Sequence, residues 1–415
     1  MVDHTINDRA NTKDVISFKK YLESNYFRKV FGSDGWPIVV AGILIGLINV
    51  VSYVWVKKPF TVYTGFLNWG QHIYSLLGLS SLADTPKTSP LLDPTSAGDI
   101  GAILGAMIAA ILSNEFRLRG VDRLGVIESI VGGVLMALGV SMSFGCNWGG
   151  FLSAITSWSL HGYAFLLGAL AGGYLGQRYV LWRAEKTFRL ESKVDLSIGS
   201  GYERKREAGQ YGVLLVIPLT IIILASIYYA YMKSYMIGGL LIGVTMGMIL
   251  QRARFCFATA FRDLFGGPEA LRAINIHKGI AVAMLVGATG VFALKYMGLA
   301  DIWILVSPVY ITNVIGGAIF IFGAIMVGGC ASGILWRIGE GHLKALIGLI
   351  STVLAYPMFV NIISKRLVTY PRIFMPGAVG WIAAYAIFII FISIYLMLLL
   401  YQEYRLQRER GLSQR

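Results

Sequence analysis

Charge is scarce in this chain. Asp, Glu, Lys and Arg make up 14% of its 415 residues, against roughly a quarter in soluble domains, which excludes an ordinary soluble globular protein. Acidic side chains are nearly missing from the apolar stretches, Glu128 being the clearest, so no intramembrane carboxylate relay is expected. The chain has no GxxxxGK[ST] loop, which argues against transport driven by its own nucleotide hydrolysis, and no GxSxG nucleophile motif. Its three cysteines stand far apart, forming neither a disulfide framework nor a zinc spacing, so no metal or other cofactor is expected. No cleavable signal peptide is expected either, because the polar stretch before the first apolar run is too long.

What fills the chain instead is apolar sequence, 56% of it, at a mean hydropathy of +0.66. Runs near the about 20 residues needed to cross a bilayer recur: Trp36 to Val56, Gly98 to Leu112, Gly125 to Phe144, Tyr163 to Leu181, Tyr211 to Met232, Met236 to Leu250, Gly279 to Met297, Thr312 to Val327, Ala345 to Ile363 and Pro376 to Tyr401. The runs starting at Gly98 and Thr312 are short, so they must borrow flanking residues or stop in a protein-lined interior. The net charge of +14 is carried between the runs and at the chain ends, which reads as positive-inside topology and not as a nucleic-acid surface. Arg9, Lys13, Lys19, Lys20, Arg28 and Lys29 place the N-terminus in the cytoplasm. These readings describe a multi-pass protein of the cell inner membrane with the lipid bilayer as its first partner.

Two stretches nearly copy each other. Gly132, Gly133, Gly139, Gly145, Cys146 and Gly149 recur as Gly316, Gly317, Gly323, Gly329, Cys330 and Gly333, each 184 residues later (330 minus 146). A second pair matches in the same order: Gly42 and Gly46 ahead of Phe60-Thr61, and Gly239 and Gly243 ahead of Phe255-Cys256. The chain divides accordingly into a cytoplasmic segment 1–35, a first membrane repeat 36–182, a cytoplasmic linker 183–210, a second repeat with extra helices 211–401 and a cytoplasmic tail 402–415. Counting crossings puts the second repeat upside down relative to the first. The expected fold is an all-α membrane protein with two inverted-topology repeats, nine or ten transmembrane helices and about four short re-entrant helices. Lys365, Arg366 and Arg372 would then sit outside, against the charge bias.

Glycine lets a backbone leave the helix and lets two backbones approach, so a thiol among glycines at a run's end suggests an unwound path lining. The bland reading, packing glycines around a small hydrophobic cysteine, accounts for one such motif better than for two. Gly145, Cys146 and Asn147 in the first copy and Gly329 and Cys330 in the second are therefore candidate site residues. Arg252 and Arg254 beside Cys256 mark either an anion path or the cytoplasmic end of a span. His161 and His342 follow the two motifs at similar distances and are able to bind substrate or to tie a helix end. A pair between Arg337 and Glu340 would order the loop after Cys330.

At these cysteine motifs, Gly145-Cys146-Asn147, Arg254-Phe255-Cys256-Phe257 with Ala260-Phe261-Arg262-Asp263, and Gly328-Gly329-Cys330 with Gly333, the chain resembles the YeeE/YedE family of membrane proteins. The likeness covers roughly Trp36 to Tyr401 and is greatest to the longer YedE branch, linked to selenium metabolism. It implies re-entrant helices converging from both faces and a narrow central path lined by Cys146, Cys256 and Cys330. It implies uptake of thiosulfate or a related sulfur anion, passed along neutral thiols that donate S–H to its sulfur, and no enzyme activity. It also allows a small cytoplasmic sulfur-carrier protein as partner, docking on the linker. Two other readings stay open: a selenium compound as cargo, and a membrane thiol enzyme or sulfur relay with a persulfidated cysteine.

Overall fold

The computed structural model describes residues 35–79, 81–191, 208–232, 234–267 and 270–413. The expected cytoplasmic segment 1–35 lies almost wholly outside the described residues, as does 192–207, the middle of the expected linker. The described ends of that linker are helical, so the membrane helices on either side extend into it.

No strand occurs among the described residues; helices account for the fold. In chain order they are α1 (Ile38–Trp55), α2 (Tyr63–Leu76), α3 (Pro94–Leu112), α4 (Arg123–Ser143), α5 (Ser153–Thr156), α6 (His161–Glu191), α7 (Ala208–Met232), α8 (Ser234–Arg252), α9 (Phe257–Asp263) and α10 (Ala270–Tyr296). There follow α11 (Ile311–Val327), α12 (Ala331–Gly339), α13 (Leu343–Phe359), α14 (Lys365–Leu367), α15 (Met375–Val379) and α16 (Trp381–Ser413). Nine segments among the described residues are long and apolar enough to cross a membrane: α1, α3, α7, α10, α16, and the stretches containing α4 with α5, α8 with α9, α11 with α12, and α13 with α14.

Helix α6 is diluted by glycines, tyrosines, Gln177 and Arg178, yet it too joins opposite ends of the bundle. Leu160, just before it, donates its N–H to Ile373 O at one end, and Arg183 pairs with Glu128 at 2.7 Å at the other. The second end gathers Arg119, Arg252, Arg254 and Lys344 and is the cytoplasmic one by the positive-inside rule. The opposite end joins Asp84 to Lys365, Val309 to Pro371 and Met375 to Trp158.

Local chemistry sets the helix limits. Asp93 accepts from Ser96 N at 2.8 Å ahead of Pro94, so α3 starts four residues before its apolar run does. Asp122 caps α4 in the same way. Helix α4 ends on Phe144 and α11 on Gly328, both left-handed at φ 57° and 88°. Glycine takes that conformation freely and phenylalanine does not, so the first break is held by its surroundings.

The principal helix pairings all join the first half of the chain to the second: α3 with α8, α1 with α10, α11 with α4 and α6, α13 with α4, and α12 with α3. Close approach makes these crossings possible. A Cβ on Gly139 would stand 2.6 Å from Gly316 O, and one on Gly316 would stand 2.6 Å from Gly139 O, so small residues are required at that contact. Helices α7 and α16 lie at the rim, where Ile217, Ile223, Leu224, Ile390, Met397 and Leu398 are exposed as lipid-facing side chains. The interlocked halves leave their buried aromatic core, Phe60, Trp148, Phe151, Phe257 and Phe261, around the starts of the short helices.

Candidate functional site

Three of the short helical segments begin on a cysteine. Cys146 precedes one turn of π-helix, Asn147–Leu152, that runs into α5. Cys256 precedes α9 and Cys330 precedes α12, each in extended backbone. The corresponding helix α2 has Val62 as its N-cap, beside Thr61, the residue that stands where the second half has Cys256. All four starts come together. Phe60 and Trp148 rings meet at 5.3 Å, Trp148 and Phe257 at 5.6 Å, and Ser153 Oγ donates to Phe60 O at 3.0 Å.

Cys256 Sγ and Cys330 Sγ are 4.0 Å apart, although 74 residues separate them in sequence. Gly333 faces both: a Cβ there would stand 3.1 Å from Cys330 Sγ and 3.2 Å from Cys256 Sγ. Cys330 Sγ accepts the Gly333 N–H at 3.4 Å and lies 3.6 Å from Ser332 Oγ; Cys146 Sγ accepts the Trp148 N–H at 3.3 Å. A backbone N–H thus orients the sulfur of Cys146 and of Cys330, each of which keeps an S–H to donate. Tyr63 lies within electrostatic reach of both Cys146 and Cys330 and joins the two sets.

Polar groups without partners occur on the same short segments as these thiols. Both ends of the Asn147 amide, Trp148 Nε1 and Trp336 Nε1 are buried with no hydrogen-bond partner among the described residues. Buried polar groups are paired in the great majority of cases, so exceptions on the segments that carry the thiols are candidate ligand contacts. Together they offer N–H groups for oxyanion oxygens and thiols for a soft atom. No group of three or more metal-ligating side chains occurs among the described residues.

The other expected site residues sort by position. Gly145 packs against the Gly150 backbone, and the Gly329 N–H closes onto Ala324 O at 2.9 Å; both shape the breaks beside the thiols. His161 is fully buried at the outer end, its Nδ1 2.6 Å from Ser159 Oγ, and no contact brings it to a cysteine. His342 lies at the cytoplasmic end, its Nε2 3.3 Å from Glu340 Oε2 and 2.8 Å from Arg119 Nη1.

Arg254 meets His342 on that same carboxylate. Its Nη1 is 2.5 Å from Glu340 Oε1, its Nη2 3.0 Å from Glu115 Oε1, and its guanidinium lies over the Trp336 ring. Glu340 therefore pairs with Arg254 and Arg119, not with Arg337 as its spacing suggested; Arg337 stacks on Trp336 instead. Gln251 donates to both Glu115 and Glu340 and completes the cluster. Burial pushes the Glu340 carboxyl up, but the His342 and Gln251 hydrogen bonds and the Arg254 charge outweigh it and leave it below its ordinary value.

A Glu340→Ala change should lower stability by about 1–3 kcal/mol, below the range for a fully buried pair because Arg254 and Arg119 are partly in solvent. Thermal unfolding in detergent at neutral pH would measure it, and an unchanged transition would refute it. The contribution is full at neutral pH and is lost as pH falls through the depressed Glu340 value.

Sequence reasoning missed Asp99, Trp148, Trp336 and Tyr63. Asp99 was available as a carboxyl inside the run from Gly98 to Leu112; the indole groups gave no signal beyond bulk. Glu128, the acid the sequence singled out near a cytoplasmic end, is tied there to Tyr179, Arg183 and Lys344.

A family model described as Sulphur transport matches residues 6–175 and 252–414. The chain is 29% identical over 352 residues to the protein named Probable transporter YedE of Salmonella typhimurium strain LT2, covering 80% of this chain and 84% of that protein. It is 28% identical over 338 residues to the Probable transporter YedE of Escherichia coli strain K12, covering 77% and 81%. It is 36% identical over 118 residues to the Thiosulfate transporter TsuA of Escherichia coli strain K12, covering 28% of this chain and 32% of that protein.

Proposed function

We propose, given that this chain belongs to the sulphur transport family, that it carries thiosulfate across the cell inner membrane along Cys146, Cys256 and Cys330. The observation that carries this reading is the buried thiol pair at 4.0 Å, against which Gly333 packs so closely that its missing side chain matters. Thiosulfate ends in a large, polarizable sulfur and three oxygens. A neutral S–H is a weak donor suited to the sulfur, and the free N–H groups of Asn147, Trp148 and Trp336 suit the oxygens. Several weak contacts in series let an anion enter and leave without being trapped. The N-terminal ends of α12 and of the segment after Cys146 add favourable dipoles.

The helix pairings support an inverted repeat. Exchanging the two halves turns the α3 with α8 pair into α10 with α1, and α11 with α6 into α4 with α13. A substrate path at the interface of such halves is the common arrangement in transporters. Arg254 then acts at the cytoplasmic mouth, His342 positions Glu340 there, and His161 holds the outer loops.

Purified protein in liposomes tests the reading. Radiolabelled thiosulfate should accumulate saturably, be displaced by unlabelled thiosulfate and be indifferent to sulfate. Protein mass after turnover should be unchanged, because the cysteines donate hydrogen bonds and form no persulfide. Flux no greater than in protein-free liposomes would defeat the proposal. A selenium compound that displaces thiosulfate at lower concentration would reassign the cargo, and a gain of one sulfur atom on a cysteine would favour the relay enzyme.

A further inference from the structure

Asp99 is the least explained side chain in the molecule. It sits on α3 with no exposure, and neither carboxyl oxygen has a hydrogen-bond partner among the described residues. Other buried acids differ: Glu128, Glu340 and Asp263 each hold at least one cation, and Asp93 accepts from Ser96 N and Oγ. Asp99 abuts the backbone of α2, where a Cβ on Gly65 would run into its Oδ2, and it lies within electrostatic reach of Cys146. Its neighbour Gly98 lines a small cleft with Lys58, Thr61, Pro94 and Thr95, the opening next to Asp99 in sequence.

The elements packed around Asp99 bring no compensating cation to it. On its own helix the nearest titratable group is Asp93, of the same sign. Helix α2 brings Tyr63, while its His72 is engaged with Asn68 O and its Tyr74 with Leu354 O, and α7 brings Tyr229. Helix α8 has no ionisable side chain between Tyr235 and Arg252, and Arg252 is tied to Glu115. Helix α12 brings Cys330 and Arg337, and Arg337 lies over the Trp336 ring. Lys58 stands on the cleft, not on the carboxyl.

An isolated carboxylate is not held in such surroundings, whereas a neutral acid is. We propose that Asp99 is a proton-binding site that controls passage, the anion moving past Cys146 only while Asp99 carries a proton taken from the cleft. An ionised Asp99 would place a negative charge beside the route of a dianion; the neutral acid removes the repulsion and offers an O–H donor in its place. This rests on the thiosulfate reading, and the role of Asp99 is separable from it.

The test uses the full chain in liposomes across roughly pH 5 to 8, where thiosulfate stays a dianion. Above the Asp99 titration wild-type uptake should fall about tenfold per pH unit, the slope of a single required proton. Asp99→Asn should transport at the low-pH wild-type rate with no such slope. Infrared difference spectra of the wild type should contain a protonated-carboxyl band that Asp99→Asn lacks. An Asp99→Asn protein that keeps the wild-type slope would overturn the inference. So would one that is as thermally stable as wild type but inactive, or a wild type without the band. A wild type that moves no thiosulfate at any pH would instead strike the transport reading.

Discussion

Thiosulfate uptake should fall by about 10–150-fold when Cys330 is replaced by alanine. The estimate is that of one hydrogen bond to a charged group, about 1.5–3 kcal/mol, with about 1.4 kcal/mol per factor of ten. Cys330 is the residue where the loss should be largest. Its sulfur already accepts from Gly333 N, which fixes its direction, and it lies 4.0 Å from Cys256 Sγ, so the two thiols serve one position. The Cys256→Ala, Cys330→Ala double variant should therefore lose less than the product of the two single losses. Cys330→Ser keeps a donor but exchanges a soft sulfur for a small, hard oxygen, and should fall between wild type and alanine. Initial rates at low substrate in liposomes measure all four proteins. A Cys330→Ala protein at the wild-type rate would remove the thiols from the route.

Gly333→Val should abolish uptake while leaving the protein folded. The position is inside α12, where glycine is less favourable than alanine by about 0.5–1 kcal/mol and where no positive φ needs it. Helix stability therefore gives no reason for glycine. What a side chain would do is fill the space beside Cys256 and Cys330, its Cβ already 3.1–3.2 Å from the two sulfurs. The informative measurement is a pair: thermal unfolding in detergent and uptake in liposomes. Flux at the protein-free background with a stability loss of about 1–3 kcal/mol, the usual cost of overpacking, is the expected result. Normal flux through Gly333→Val would mean the anion takes another way; equal losses in both measurements would mean that Gly333 serves packing.

Both predictions draw on a site that was half visible in the sequence. The duplicated glycine-cysteine stretch marked the chain breaks at Cys146 and Cys330, because a helix cannot run through Gly328-Gly329 and the turn beyond it without leaving its hydrogen-bond register. The breaks fall where the motif put them. The ionic groups were less legible. Spacing offered Arg337 to Glu340, neighbours along one turn, but the chain fold delivers Arg254 and Arg119 to that carboxylate from other loops. His161 and His342 looked like equivalents by their distances from the cysteines, and they stand at opposite ends of the bundle as inverted halves require, but in different company.

Composition and periodicity by themselves determined that the chain is a multi-pass helical membrane protein, because an apolar run of sufficient length has few alternatives in a bilayer. They also determined where helices are interrupted, since glycine and capping acids act over a few residues. Tertiary structure alone decided which thiols meet, which arginine neutralises Glu340 and which carboxyl, Asp99, is left without a partner. Those outcomes depend on contacts between segments 74 to more than 200 residues apart, set by how glycine-lined helices of the two halves interlock, and no local pattern encodes them.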